Sequence, residues 1–210
     1  KLRYFHNVGL DVGIDFEKLV GWPGGRFHVS MSQRTGNSLS DRDIGNVFNV
    51  AQLCCGPTTR LVDLWVQQSL FDDRLNVRAG RLAAGDEFMS SPLYWLYVQN
   101  GIDGNPVGIF FNVPYTAYPV TTLGVRVRGQ PHDQLQLMAG AYDGSATVGR
   151  NQAHGVDFDI RKSDGVLVNG EIAWLRNQAV DATGLPGNVK LGGYYHSGPF
   201  DDLFADEDGG

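Results

Sequence analysis

The chain has 210 residues, with 17 Lys and Arg against 23 Asp and Glu, a formal net charge of -6 and 42% hydrophobic residues. No run of 18 or more apolar residues occurs, which excludes a transmembrane helix. No basic run occurs either, so nucleic acid is a poor partner. The 28 glycines, 8 tyrosines and 11 phenylalanines beside only 3 methionines suit a strand-rich chain with many turns.

In chain order, the organising signal is alternation with period two in segments of about ten residues, the pattern of strands with one apolar and one polar face. Leu10, Val12, Ile14 and Phe16 alternate with Asp11, Gly13, Asp15 and Glu17. Phe27, Val29 and Met31 alternate with His28, Ser30 and Ser32. Val62, Leu64, Val66 and Leu70 alternate with Asp63, Trp65, Gln67 and Ser69, and Leu75, Val77 and Ala79 with Asn76, Arg78 and Gly80. Leu123, Val125 and Val127 alternate with Gly124, Arg126 and Arg128, and Leu135, Leu137, Ala139 and Ala141 with Gln136, Met138, Gly140 and Tyr142. Val168, Ile172 and Trp174 face away from Asn169 and Glu171, and Val189, Leu191 and Tyr195 from Lys190, Tyr194 and His196. The pattern predicts eight strands.

The connections alternate short and long. Gly21 to Gly25, Asp72-Asp73, Pro131 to Asp133 and Gly184 to Gly187 are the short ones. The long ones run roughly from Arg34 to Thr59, Ala84 to Pro119 and Asp143 to Val166. Outer-membrane barrels have short periplasmic turns and long external loops. With Asp72-Asp73 as a two-residue turn, Gln67 faces Arg78 and Val66 faces Ala79. With Pro131 to Asp133 as the turn, Arg128 faces Gln136 and Val127 faces Leu137. Both registers keep polar opposite polar, and a slip by one residue would not. Arg81 has the apolar parity of its strand, which implies a bulge or a strand that has already left the bilayer. Phe16, Trp22, Phe27, Phe71, Tyr118, Tyr194 and Tyr195 fall near the inferred boundaries, as aromatic girdles do.

Cys54 and Cys55 are adjacent, so they read as a loop pair and not as spaced metal ligands. A chain that opens on Lys1, not Met, and ends in an acidic stretch from Ala205 to Gly210 is expected to be a fragment cut within an external loop. With no closing strand, the expectation is a single barrel domain over residues 1-210, incomplete at both ends, whose first and eighth strands have unpaired edges.

Four stretches carry a resemblance. They are Glu17 to Gly25 with Phe27-His28-Val29-Ser30, Asp63 to Phe71 running into Leu75 to Arg81, Phe110 to Pro119, and Lys190 to Gly198. In this order they resemble the carbohydrate-selective porin family of the OprB type, from about Gly9 to Asp202. The resemblance implies an all-β, antiparallel transmembrane β-barrel of about sixteen strands, an even number as in other bacterial barrels. Eight strands would be half of it. It further implies the Gram-negative outer membrane, passive diffusion of glucose and related sugars, and a lumen narrowed by inward loops. The expected partners are sugars and outer-membrane lipid, with a possible homo-oligomer.

A sugar is neutral, rich in hydroxyls and apolar on its ring faces. A selective wall therefore needs donors, acceptors and aromatic faces. The lumen-parity residues Asp63, Trp65, Gln67, Arg78, Arg126, Arg128 and Glu171 are the candidate sugar contacts. Trp65 and Tyr142 offer the faces, and Asp63 is expected to balance the arginines. Arginine's rigid fork suits pairs of ring hydroxyls. The longest loop holds the apolar run Leu93-Tyr94-Trp95-Leu96-Tyr97, which either enters the lumen or packs on a neighbour. No Gly-x-Ser-x-Gly elbow, His-Glu-x-x-His or phosphate-binding glycine loop is present, so neither an enzyme nor a cofactor is expected. Asp157, Asp159 and Asp164 lack EF-hand spacing. The rival readings are a general diffusion porin, a soluble carbohydrate-binding β-sandwich and an outer-membrane barrel enzyme.

Overall fold

A computed structural model describes residues 3-51, 57-102, 104-106, 108-145, 147-148, 151-179 and 181-199. Cys54 and Cys55 lie outside the described residues. Eight strands form one antiparallel sheet in chain order: β1 (Phe5–Asp15), β2 (Gly25–Gly36), β3 (Thr58–Leu70), β4 (Leu75–Leu82), β5 (Thr122–His132), β6 (Leu135–Asp143), β7 (Val166–Arg176) and β8 (Gly187–His196). A single sheet is not a sandwich, which needs two sheets face to face. Among the described residues β1 pairs with β2 alone and β8 with β7 alone, so the sheet is not closed on itself there.

The alternation becomes two faces. Val8, Leu10, Met31, Val66, Val125, Val127, Leu137, Val168, Ile172, Val189 and Leu191 are exposed on one face. Ser30, Ser32, Arg34, Arg60, Gln67, Asn76, Arg126, Asn169 and Glu171 are buried on the other, beneath the loops that cover it. An apolar face in the open and a polar face covered is the reverse of a soluble fold.

The tight turn between β3 and β4 forms as expected. Arg74 N donates to Phe71 O at 3.1 Å, and Asp72 and Asp73 both have left-handed φ, 54° and 65°. That is the turn geometry whose twist matches a hairpin. Gln67 pairs with Arg78 and Val66 with Ala79.

Four local expectations are corrected. The β7–β8 connection is not the short Gly184 to Gly187, since β7 ends at Arg176 and β8 already starts at Gly187. The β1–β2 connection contains a helical turn, α1 (Phe16–Val20), so Phe16 is not a strand residue. Asp15 caps it by accepting from Glu17 N and Lys18 N at 3.0 and 3.3 Å, and Gly21 ends it with φ 72°. Between β5 and β6 the turn is Asp133-Gln134, not Pro131 to Asp133. Arg128 therefore pairs with Met138 and Val127 with Ala139, two residues from the expected partners, and an irregularity between Gly129 and His132 absorbs the difference. Facing sides survive because the shift is even. In β3 the pairing jumps from Val29–Leu64 to Met31–Leu61. This bulge takes Val62 out of the outward row, and its side chain is fully buried.

Arg81 has outward parity, opposite Leu64 and Leu123, with no register break in β4. It is nevertheless 1% exposed. The β6–β7 loop reaches past β5 and the short β4 to bond β3, where Leu61 N donates to His154 O at 2.9 Å. Arg81 donates to Asp157 O and, at 2.5 Å, to Thr121 O, and its guanidinium lies 5.3 Å from the Phe158 ring centre. No bulge interrupts β4, so the bulge reading of Arg81 is corrected: its side chain lies at the strand end, covered by the β6–β7 loop.

Candidate functional site: the concave wall and its inward loop

The β4–β5 connection, residues 83-121, folds onto the concave face. Its described residues carry two short α-helices, α2 (Ala84–Glu87) and α3 (Ile109–Asn112), and a 3-10 turn over Tyr94–Leu96. Phe88, Ile109 and Tyr115 of this loop pack with Leu82, Met138, Tyr142 and Leu167 of the wall in one apolar cluster. The wall makes room with glycine. A Cβ on Gly124 would lie 2.4 Å from the Tyr142 ring, and one on Gly140 would lie 2.9 Å from the Phe88 ring. The two rings meet edge to face at 6.3 Å. Asn105 Nδ2 ties the loop to itself through Gly85 O and Met89 O at 2.8 and 3.2 Å. At the far end Tyr118 OH accepts from Asn7 Nδ2 at 3.0 Å, so Tyr118 is a loop anchor and not a girdle residue.

This packing delivers Glu87 to the arginines. Arg78 Nη1 lies 2.5 Å from Glu87 Oε1, and Arg126 Nε lies 2.9 Å from Glu87 Oε2. Arg78 also donates to Gln67 Oε1 from Nε and Nη2 at 3.0 and 2.7 Å. Arg126 Nη1 donates to Asn76 Oδ1. Arg128 Nη2 pairs with Asp73 Oδ2 at 2.7 Å, and Asp73 Oδ1 accepts from Ser69 Oγ at 2.7 Å. A cavity of about 370 Å³ lies among these groups, lined by Gln67, Asp73, Asn76, Arg78, Arg126 and Arg128.

Of the expected contacts, Gln67, Arg78, Arg126 and Arg128 come together here. Asp63 does not balance the arginines directly. Its Oδ2 accepts from Ser30 Oγ at 2.9 Å, and Glu87 and Asp73 are the carboxylates in contact with them. Trp65 does not offer an open face at this cavity. The Arg78 guanidinium sits 4.0 Å over its ring from the β4 side, and the His28 ring stacks at 4.9 Å from the β2 side. Tyr142 is 1% exposed and belongs to the loop-anchoring cluster. Glu171 lies apart, 3.0 Å from Lys190 Nζ and accepting from Met89 N at 3.1 Å. Of the apolar loop run, Leu93, Trp95, Leu96 and Tyr97 remain exposed.

Glu87, Asn76 and Asp73 are the site residues that sequence reasoning missed. Asn76 has lumen parity and was legible as a candidate. Asp73 reads in the sequence only as a turn residue. Glu87 sits in a loop without periodicity, where alternation carries no signal.

Beside Glu87, Asp86 accepts from Tyr118 N at 3.4 Å. Burial, reinforced by Asp63 and Glu87, pushes its carboxyl up to about 7. The folded loop then holds a proton that the unfolded chain releases at the ordinary carboxylate value of 3.8. Stability is therefore expected to fall as pH rises from 3.8 to about 7, with the full penalty present above that. Asp86→Asn should flatten this slope. Denaturant midpoints of the full-length protein across the window check it, and an unchanged slope in the variant would refute the assignment.

The fold is matched by known proteins. The model of the carbohydrate-selective porin, OprB family, matches residues 1-210. Porin B of Pseudomonas aeruginosa is 32% identical over 216 aligned positions, covering 99% of this chain and 46% of that protein. A putative porin, QuiX, of Acinetobacter baylyi is 26% identical, covering 92% and 45%. The high-pH structure of Pseudomonas putida OprB superimposes with TM-score 0.81 at 25% identity, covering 93% of this chain and 46% of that one. The chain thus spans about half the length of the curated relatives it matches. Its strands are wall segments of an outer-membrane β-barrel, and the chain belongs to the carbohydrate-selective porin (OprB) family.

Proposed function

We propose that the protein of which these residues form the wall admits sugars such as glucose by passive diffusion. Residues 1-210 act as part of one porin domain, with the apolar face against lipid. The supporting observation is the mutual neutralisation of the concave wall. Glu87 is shared by Arg78 and Arg126, and Asp73 holds Arg128. Such a wall presents many hydrogen-bonding groups with little net charge, which suits hydroxyls better than ions. Substrate contact at Gln67, Arg78, Arg126 and Arg128 is part of this reading, and so is the absence of catalysis. The pore needs no cofactor in this scheme, and any assembly into a homo-oligomer would use the outer face.

Arg128 is 31% exposed in its side chain, the most open of the three arginines. Arg128→Ala should weaken glucose binding by about 1.5–3 kcal/mol at most, the range for a hydrogen bond to a charged group, and less where water competes. Glucose block of ion current through single channels of the full-length protein measures it. Equal block in both channels makes Arg128 wall structure. Free ion flow with no glucose block in the wild type makes a general diffusion porin the better reading.

A further inference from the structure

A sugar pore needs aromatic faces as well as hydrogen bonds, and among the described residues the arginine-lined cavity has no aromatic in its lining. Trp65 is flanked by Arg78 and His28, and Tyr142 is buried under the loop. A second cavity of about 620 Å³ supplies what the first lacks. It lies between the inward loop and the β7–β8 wall, away from Arg78 and Arg126. Its volume is within the range of small-molecule sites.

The local sequence builds it. The inner row of β8 reads Asn188, Lys190, Gly192, Tyr194, set by pairing of Gly192 with Glu171 and Tyr194 with the buried Asn169. A Cβ on Gly192 would lie 2.8 Å from Gly170 O, so the strand backbone is bare between Lys190 and Tyr194. The loop supplies the opposite side. Tyr94 and Ser91 line it, and Leu93 N donates to Ser91 Oγ at 3.3 Å. The loop is pinned in place by the ion pair already described. Lys190 Nζ donates to Ser90 O at 3.1 Å and lies 3.0 Å from Glu171, which in turn accepts from Met89 N.

The chemistry on offer is specific. Lys190 has three N–H groups; one donates to Ser90 O and the ammonium pairs in charge with Glu171, which leaves at least one N–H for a ligand. Its charge is met by Glu171, so the cavity does not select an anion. The Tyr94 and Tyr194 phenols add hydroxyl donors, and their rings add apolar faces. Two rings, one spare ammonium proton and a flat backbone strip match a neutral pyranose, with one face of C–H groups and a rim of hydroxyls. We infer that the cavity formed by Tyr94, Ser91, Lys190, Gly192 and Tyr194 is a saccharide-stacking subsite, separate from the arginine-lined one. This rests on the sugar-pore reading and adds the place where the sugar ring stacks.

The test is glucose block of potassium chloride current through the full-length protein in planar bilayers. Tyr194→Ala should raise the half-blocking glucose concentration by roughly 2- to 10-fold, the effect of losing one stacked ring. Tyr194→Phe keeps the ring and should stay near the wild type. Tyr94→Ala, in the loop and independent of strand assembly, should give a shift like that of Tyr194→Ala. Wild-type block in both alanine variants would overturn the subsite while leaving the sugar function standing. No block in the wild type would overturn both.

Discussion

Glu87→Ala is expected to destabilise the inward loop by about 3 kcal/mol, the lower end of the range for removing one partner of a buried ion pair. The lower end applies because Arg78 is 25% exposed in its side chain and water can reach it. Arg126 is 3% exposed and has no such relief. Its remaining partner is Asn76, which accepts a hydrogen bond but carries no charge. The variant leaves two guanidiniums facing one another across β4 and β5, since Arg78 and Arg126 are paired in the strand register. Two measurements check it in the full-length protein. Denaturant unfolding should show a lower midpoint, and the reversal potential in a salt gradient should move towards anion preference. An unchanged reversal potential would mean that Glu87 does not set the charge of the passage.

Val125→Arg should cost about 2–4 kcal/mol if the residue lies near the bilayer midplane, the measured range for a lipid-facing arginine in a barrel. Val125 is 39% exposed on the apolar face, flanked by Ala79 and Ala141 on the neighbouring strands. Neither neighbour offers a carboxylate. The natural Arg81, four residues from Val77 on the same row, avoids this cost because Asp157, Phe158 and Thr121 cover it. Folding of the full-length protein into lipid vesicles, titrated with denaturant, reads the difference. A wild-type midpoint would mean that this face does not meet lipid.

These two residues differ in how readable they were. Val125 was assigned to the outer face from alternation alone, and the structure places it there. The same holds for the lumen parity of Arg78, Arg126 and Arg128 and for the Asp72-Asp73 turn. Glu87 was not readable. Nothing in residues 83-121 distinguishes it from a solvated loop carboxylate until Phe88 packs on Tyr142 and swings the preceding residue to the wall. Trp65 shows the opposite limit of alternation. Its parity was right, but its proposed role depended on an open face, and neighbours on β2 and β4 occupy the ring.

By itself the sequence determined the strands, their two faces, their order and the tight β3–β4 hairpin. These depend on local patterns: period-two alternation, and turn residues that tolerate left-handed backbone. The tertiary structure alone decided the bulge at Val62 and Asp63, the even shift between β5 and β6, the cover over Arg81 and the meeting of Glu87 with Arg78 and Arg126. Each of these joins residues far apart in the chain or adds one residue to one strand of a pair. Alternation is blind to both, because it records which side a residue faces and not what stands opposite it.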